Sequence, residues 1–175
     1  MAQTFLNLAQ GVTGTLPTSN YVQGGIKQAD QWQLTANITG TNAVITANLS
    51  QRSGTVVGTG MSESSGIFTF PETGIYLIIT RPQWSQVDAS DNVFCSTWLT
   101  TDNSSYTRID RPSFSNKTSS STGEVVATGV SIVDITNTAT HKIQFQTESM
   151  GTNTTLFGNA SYTATSFSFT RLGDT

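Results

Sequence analysis

The stretch SGIFTFPETGIYLIIT, residues 65–80, carries the strongest secondary-structure signal in the chain. Two apolar runs flank Pro71-Glu72-Thr73-Gly74, a sequence in which proline and glycine favour a tight turn. Within the first run, large apolar side chains alternate with smaller or polar ones, as in a β-strand. The stretch therefore predicts two antiparallel strands joined as a β-hairpin at residues 71–74.

The composition around this stretch favours β-structure in the whole chain. Only 11% of the 175 residues are charged, against about 25% in an average soluble protein. Thr, Ser, Asn, Gln and Gly take their place, while 35% of the residues are hydrophobic. Ser, Thr and Asn side chains compete for the backbone hydrogen bonds of a helix, and β-branched Thr suits strands. We therefore expect an all-β protein.

Charge and apolar patterning argue against two classes of partner. The net charge is −3 and the eight basic residues are scattered, so no basic cluster is available for a nucleic-acid backbone. No apolar run approaches the roughly 20 residues that span a bilayer, and the N-terminal MAQTFLNLAQ lacks the features of a signal peptide. Cys95 is the single cysteine, which excludes an internal disulfide. We expect a protein made in a cytoplasm that binds neither nucleic acid nor membrane.

Residues 1–30 differ from the rest of the chain. They contain short apolar bursts separated by Gly, Pro and Ser-Asn, and they show no sustained period of strand or helix. One interpretation is a loose tail. The other is a short extended N-terminal arm that orders against a neighbouring molecule, because the segment is too apolar for a free linker. The expected arm anchors are Phe5, Leu8, Leu16 and Tyr21.

Residues 31–175 predict one β-domain. Trp32 and Leu34 alternate with polar residues, which indicates a strand with one buried face. Turn signals recur at the spacing of a sandwich, and the residues 93–101 are apolar on both faces, which predicts a central strand. Together the pattern predicts an antiparallel sandwich of about ten strands. The other expected strands are residues 43–49, 106–109, 124–134, 141–148 and 162–171, with a turn at residues 136–138 joining the pair 124–134 and 141–148.

The pattern G-x-F-x-F-P-x-x-G-x-Y, from Gly66 to Tyr76, resembles the signature hairpin of the complement-globular-head and tumour-necrosis-factor superfamily. The resemblance extends over roughly residues 32–172 and includes the Phe-rich closing strand. It implies a jelly roll that assembles as a tight homotrimer, with a glycine turn at Gly74. It also implies a trimer interface that includes Tyr76, Ile78, Phe167 and Phe169. The chain departs from the family in having no collagen-like stalk ahead of the domain and SFSFTRLGDT as its closing sequence.

A second resemblance concerns short motifs in order along the chain. The segments GTLP, NTATHKIQF and TRLGDT look like those of jelly-roll virion proteins encoded by marine tailed bacteriophages. This resemblance implies a virion component that is made in the cytoplasm of a bacterial host.

The sequence offers little for catalysis. His141 is the single histidine and begins a predicted strand, so we expect a solvated strand end, and Cys95 is expected to be a buried, inert thiol. Asp88, Asp91 and Asp102 could supply oxygen ligands to Ca²⁺, but their spacing matches no defined calcium loop. No nucleotide, zinc or serine-nucleophile motif is present, so we expect no cofactor and no enzymatic activity.

The tryptophans suggest one possible ligand contact. Trp84, in the RPQWSQVD segment, is expected to be an exposed contact for a sugar ring, whereas Trp98 is expected in the core. The preferred interpretation of the whole chain is a non-enzymatic virion structural protein, a trimer that decorates a bacteriophage capsid through its arm. The alternative is the receptor- or glycan-binding head of a phage fibre, which would use the loops at residues 83–92 and 113–122. A glycan hydrolase is a third, weaker reading, because paired carboxylates need not be close in the chain.

Overall fold

The computed structural model describes residues 25–86, 92–115 and 123–175, and this part of the chain contains strands and turns without a helix. The structure confirms the all-β fold class. Fifteen strand segments replace the ten or so expected, because several long strands are interrupted. They are β1 (Ala29–Leu34), β2 (Ile38–Thr39), β3 (Leu49–Gln51), β4 (Ser62–Ser64), β5 (Ile67–Thr69), β6 (Gly74–Arg81), β7 (Gln83–Gln86), β8 (Asn92–Thr100), β9 (Tyr106–Asp110), β10 (Ser113–Ser115), β11 (Gly123–Val126), β12 (Gly129–Ile135), β13 (Lys142–Glu148), β14 (Thr155–Leu156) and β15 (Ser166–Gly173).

Two antiparallel sheets form the sandwich. One sheet has five strands in the order β12-β6-β15-β1-β3. The other has six strands: β10-β8-β13-β5-β4, with β9 also paired to β8. The expected central strand at residues 93–101 is confirmed as β8, which pairs with β13 on one side and with β9 and β10 on the other.

The core lies between these sheets and is centred on Phe68 of β5. Its ring lies 5.2 Å from that of Trp32, 5.4 Å from that of Phe145 and 5.3 Å from that of Phe169. Phe145 and Phe167 stack with their ring centroids 4.0 Å apart. These aromatic contacts join β1 and β15 of one sheet to β5 and β13 of the other, so they hold the two layers together.

A third, four-stranded sheet has the order β11-β7-β14-β2 and extends the five-stranded sheet. Pro82 separates β6 from β7, because proline has no N–H to donate to a ladder. On the neighbouring strand, residues 127–128 separate β11 from β12. The expected single strand at residues 124–134 is therefore two segments, which continue the same pairing from β7 to β6.

The stretch at residues 65–80 forms two strands, but they are not a hairpin. β5 pairs with β4 and β13 in the six-stranded sheet, whereas β6 pairs with β12 and β15 in the five-stranded sheet. Residues 70–73 are thus a corner that crosses from one layer to the other. The corner and β6 both direct aromatic side chains into the shared core, where the rings of Phe70 and Tyr76 lie 4.7 Å apart.

Two further strand expectations are corrected. Residues 43–48 are irregular rather than a strand, and Ala43 and Ile45 hydrogen-bond to the β13 residues Thr147 and Phe145. β12 and β13 do not pair with each other, because β12 lies at the edge of the five-stranded sheet and β13 lies inside the six-stranded one. The connection at residues 136–141 is therefore another crossing between layers. The predicted arm anchors Phe5, Leu8, Leu16 and Tyr21 lie outside the described residues.

Candidate self-association surface

The side chains that the family resemblance implied for a trimer interface lie inside the protomer. Tyr76, Ile78, Phe167 and Phe169 are each at most 1% exposed. They occupy the inward positions of β6 and β15, where Phe70 and Phe145 pack against them. Because a side chain without exposed area has none to lose on association, that prediction is wrong for these four positions.

The opposite face of the same strands is apolar and uncovered in the described protomer. Along β6, Ile75, Leu77 and Ile79 alternate with the buried residues and are partly exposed. On the neighbouring strand β12, Val130 is 57% exposed and Ile132 is 67% exposed. We call these five side chains the outer apolar face.

Strand register makes this face continuous. Val130 is paired with Ile79, and Ile132 is paired with Leu77. On the other side of β6, Ser168 and Thr170 of β15 are paired with Ile79 and Leu77, so the apolar strip borders a row of hydroxyl groups. Side chains paired on one face of a sheet touch one another, and the five apolar residues therefore form one patch.

The patch ends at a sheet edge. β12 pairs only with β6 among the described strands, so the backbone groups on its other side form no ladder with a described strand. An apolar outer face beside an open edge is a combination that proteins cover, because both features promote pairing with another chain.

A polar cluster fixes the end of β6 nearest the corner. The Arg171 guanidinium donates to the carbonyl oxygen of Thr73 at 2.8 Å and lies between the carboxylates of Glu72, at 3.3 Å, and Asp174, at 2.5 Å. This arginine lowers the pKa of the Asp174 carboxyl by hydrogen bonding and by its charge. The Tyr76 hydroxyl donates to the carbonyl oxygen of Glu72 at 3.0 Å, and burial raises its pKa to about 12. The cluster ties β15 to the corner and so sets the start of the outer apolar face.

Trp84 does not form an exposed ligand contact. Its side chain is fully buried in β7, between Val125 of β11 and Leu156 of β14. Residues 83–92 were expected to form a loop, but residues 83–86 form β7, which pairs with β11 and β14 from distant parts of the chain. Trp98, expected in the core, instead lies on the outward face of β8 and is only partly buried, beneath the Arg108 guanidinium at 5.5 Å.

The single histidine and the single cysteine are both buried. His141 is 9% exposed and lies against the hydroxyl groups of Thr136 and Thr140, which corrects the expected solvated strand end. Cys95 is completely buried, as expected. Burial, together with the nearby charge of Glu148, raises the pKa of its thiol to about 12. Such a thiol carries almost no thiolate near neutral pH.

Of the three aspartates considered as calcium ligands, only Asp102 lies in the described residues. Asp102 is used in the turn after β8, where its carboxylate accepts hydrogen bonds from the backbone of Ser104 and Ser105 at 2.9 and 2.7 Å. These bonds, with one from Thr100, lower its pKa. Asp88 and Asp91 lie outside the described residues, and within those residues no three His, Cys, Asp or Glu side chains are grouped for a metal ion.

A cavity of about 160 Å³ lies beside the irregular residues 43–48. No titratable side chain lines it; its lining is Ile38, Thr41, Ala43, Val44, Ile45, Thr46, Ala47, Asn48 and Thr147. Within the described part of the chain, no helix has the length and apolar character needed to cross a bilayer.

Solved structures share this architecture. Murine APRIL, in a crystal structure at pH 5.0, superposes with a TM-score of 0.62 at 13% sequence identity, over 83% of this chain and 98% of that chain. Eiger TNF from S. frugiperda superposes with a TM-score of 0.64 at 11% identity, over 84% of this chain and 93% of that chain. The chain has the tumour-necrosis-factor-like jelly-roll fold. No protein-family model matches the chain, and no curated protein does.

The outer apolar face of this jelly roll was missed in the sequence, although the signal was present in its most ordered stretch. GIYLIIT places apolar residues at consecutive positions, so both faces of β6 are apolar. A strand with one wet face alternates with polar residues, whereas a strand covered on both faces does not. The consecutive run is therefore typical of a strand that is covered on both faces.

Proposed function

We propose that this chain is a non-enzymatic jelly-roll subunit that self-associates as a homotrimer through its outer apolar face. The observation that carries this proposal is the paired patch of Ile75, Leu77, Ile79, Val130 and Ile132 beside the open edge of β12. Removing an exposed aliphatic side chain from water contributes about 1.5–3 kcal/mol when burial becomes complete. In a trimer with closed threefold symmetry, every subunit can bury this patch against a neighbour.

The tumour-necrosis-factor-like fold supports the proposal, because the family resemblance in the sequence implies trimers. The structure changes which residues we assign to the interface. The outward side chains of β6 and β12 replace Tyr76, Ile78, Phe167 and Phe169, which serve the core of each subunit.

A matched pair of substitutions tests this assignment. Ile132→Asp places a charge at the centre of the patch, where the side chain is 67% exposed in the protomer, so the subunit should fold normally but fail to associate. Tyr162→Asp changes a side chain that is 60% exposed in a loop outside the patch and should leave the trimer intact. Sedimentation velocity measures the particle mass of each variant. A trimer that survives Ile132→Asp, with unchanged stability, rules out this face.

For the biological role, we propose a virion structural protein that decorates a bacteriophage capsid, made in the cytoplasm of the bacterial host. Support comes from the order of the GTLP, NTATHKIQF and TRLGDT motifs. The N-terminal residues, with Phe5, Leu8, Leu16 and Tyr21 as anchors, would bind the capsid shell. Deleting residues 2–25 should then abolish co-sedimentation with capsids and leave the particle mass per subunit unchanged. If the truncated protein still binds capsids, the arm is not the anchor.

A further inference from the structure

The outward face of the six-stranded sheet differs in chemistry from the outer apolar face. Along β13, Lys142, Gln144, Gln146 and Glu148 point outward, while Ile143, Phe145 and Thr147 are buried. Register places Gln144 beside Trp98 of β8, and Trp98 beside Arg108 of β9. Arg111, just after β9, completes the group. We call Arg108, Arg111, Lys142, Gln144, Gln146 and Trp98 the cationic face.

This face is positive in a chain that is negative. It carries three basic side chains, Arg108, Arg111 and Lys142, against the carboxylate of Glu148 and that of Asp102, which lies at the end of the face beside Thr100, whereas the net charge of the chain is −3. Asp110 does not offset this, because its carboxylate turns toward the β9–β12 seam, where it lies against Gly129. The charge is therefore complementary to an anionic partner.

The two guanidinium groups are held in place but keep free donors. Arg108 and Arg111 both contact Oε2 of Glu148, at 3.1 and 3.0 Å, and their side chains remain 40% and 38% exposed. Arg108 lies over the ring of Trp98, and Arg111 lies 3.4 Å from the ring centre of Phe94. Each guanidinium has five N–H donors, so most of them remain available for a ligand. The fork geometry suits carboxylate and sulfate groups.

The Glu148 carboxylate stays ionised at neutral pH. Burial alone would raise its pKa, but the neighbouring Ser96 hydroxyl and the charges of Arg111 and Arg108 lower it. The carboxylate therefore fixes the spacing of the two arginines throughout the neutral range.

Neutral polar groups complete the face. The side-chain amides of Gln144 and Gln146, and the hydroxyl of Tyr106, make no hydrogen bond to another described residue. An amide both donates and accepts, as does a sugar hydroxyl. The groups lie on the face of the sheet, where a ligand would contact side chains rather than backbone groups.

We propose that the cationic face binds an acidic polysaccharide. The arginine pair would bind carboxylate or sulfate groups, and the glutamine amides would bind ring hydroxyls. The outer apolar face lies on the opposite side of the sandwich, so self-association leaves the cationic face accessible. Several copies in one particle would increase the apparent affinity for a polymer. The proposal does not depend on the trimer, because one protomer carries the whole site.

The test uses the full chain and four defined polymers: dextran sulfate, polygalacturonate, neutral dextran and poly-glutamate. Biolayer interferometry at low and at physiological salt should show binding to dextran sulfate or polygalacturonate that weakens with salt. The double variant Arg108→Gln/Arg111→Gln should lose at least about tenfold in affinity, since each charged hydrogen bond contributes strongly. Gln144→Ala/Gln146→Ala should also weaken binding, and it leaves the contacts of Glu148 intact.

Arg81→Gln is the control for the loss of one positive charge outside the cationic face, because Arg81 is exposed at the end of β6 in the other sheet. Its binding should equal that of the unmodified chain. The proposal would be overturned if neutral dextran or poly-glutamate bound as tightly as the acidic polysaccharides, or if none of the four polymers bound. Unchanged affinity in both double variants would overturn it as well. The melting temperature of each variant shows whether lost binding reflects the loss of the binding site or the unfolding of the protein. Particle mass, measured in parallel, reports the proposed trimer independently.

Discussion

Phe68 is the residue at which the two layers of the sandwich meet. Its ring contacts aromatic rings from β13, its neighbour in the same sheet, and from β1 and β15 of the other sheet, to which β5 forms no backbone ladder. Its neighbour Ile67 points to the other side of β5 and is 37% exposed. The two residues are adjacent in the chain, but the Phe68 side chain is fully buried and the Ile67 side chain is partly exposed.

Truncating these neighbours should have unequal effects. Phe68→Ala removes a fully buried ring from a rigid aromatic cluster and should lower the free energy of unfolding by about 3–5 kcal/mol. Ile67→Ala should cost about 1 kcal/mol or less, because much of its side chain is already in water. Urea denaturation measures both. Equal losses would show that Phe68 is not at the centre of the core.

Cys95 should be inert in the folded protein. With the pKa of its thiol raised to about 12 by burial, both access and thiolate are lacking near pH 8. We expect no alkylation by iodoacetamide under native conditions and complete alkylation in urea. Rapid labelling of the native protein would contradict the buried position in β8.

The Glu148 carboxylate should make stability depend on pH in the acidic range. Its pKa is lowered in the fold, so its ion pairs stabilise the protein above the unfolded pKa of about 4.3 and are lost as the pH falls through the folded value. Glu148→Gln should therefore lower the melting temperature at neutral pH, and the difference from the unmodified protein should shrink on acidification. A difference that stays constant from pH 7 to pH 3 would exclude this role.

At the scale of the element, the corner between β5 and β6 determines how the chain passes between layers. Gly74 adopts a φ of +145°, a backbone conformation that residues with a Cβ atom rarely adopt. A Cβ atom at this position would also lie 2.5 Å from the carbonyl oxygen of Gly173 and against the Arg171 guanidinium. The glycine is thus required both by conformation and by space.

Gly74→Ala should destabilise the fold by about 1–3 kcal/mol through backbone strain and the displacement of Arg171. Gly173→Ala is the control, since a Cβ at Gly173 meets nothing within 4 Å. Guanidinium denaturation of the two variants compares them directly. If Gly74→Ala is as stable as Gly173→Ala, the corner does not constrain the jelly roll.

Local sequence predicted most of the strands but not all of their partners. Trp32 and Leu34 alternate as expected in β1, and β8 is central because its residues are apolar on both faces. The run through Pro71 and Gly74 looked like a hairpin because local patterning cannot distinguish a turn within one sheet from a corner between two. That distinction depends on pairing with β12, β13 and β15, which come much later in the chain.

The candidate sites show the same division. Trp84 stands among polar residues, which predicts exposure, yet its cover comes from Val125 and Leu156 on distant strands. Trp98 lies in an apolar strand, which predicts a core position, yet its register places it on the outward face. Whether a strand side chain is covered depends on which distant strands pair with its strand and in which register. Local patterning in a single sequence does not predict that pairing.

At the scale of the whole molecule, the sandwich has two faces of opposite character. The outward side of β6 and β12 is aliphatic, and the outward side of β8 and β13 is cationic and rich in amides. One face is suited to packing against copies of the same chain, and the other is suited to a polar partner. On the proposals made above, the subunit self-associates through the first face and presents the second face to an acidic polysaccharide.

The mass of the native particle in solution tests self-association most directly. Size-exclusion chromatography with multi-angle light scattering, at micromolar concentration and physiological salt, should give a single species of about three times the 18.7 kDa chain mass. A monodisperse species at 18.7 kDa across the accessible concentration range would contradict the trimer and leave the outer apolar face without its proposed partner.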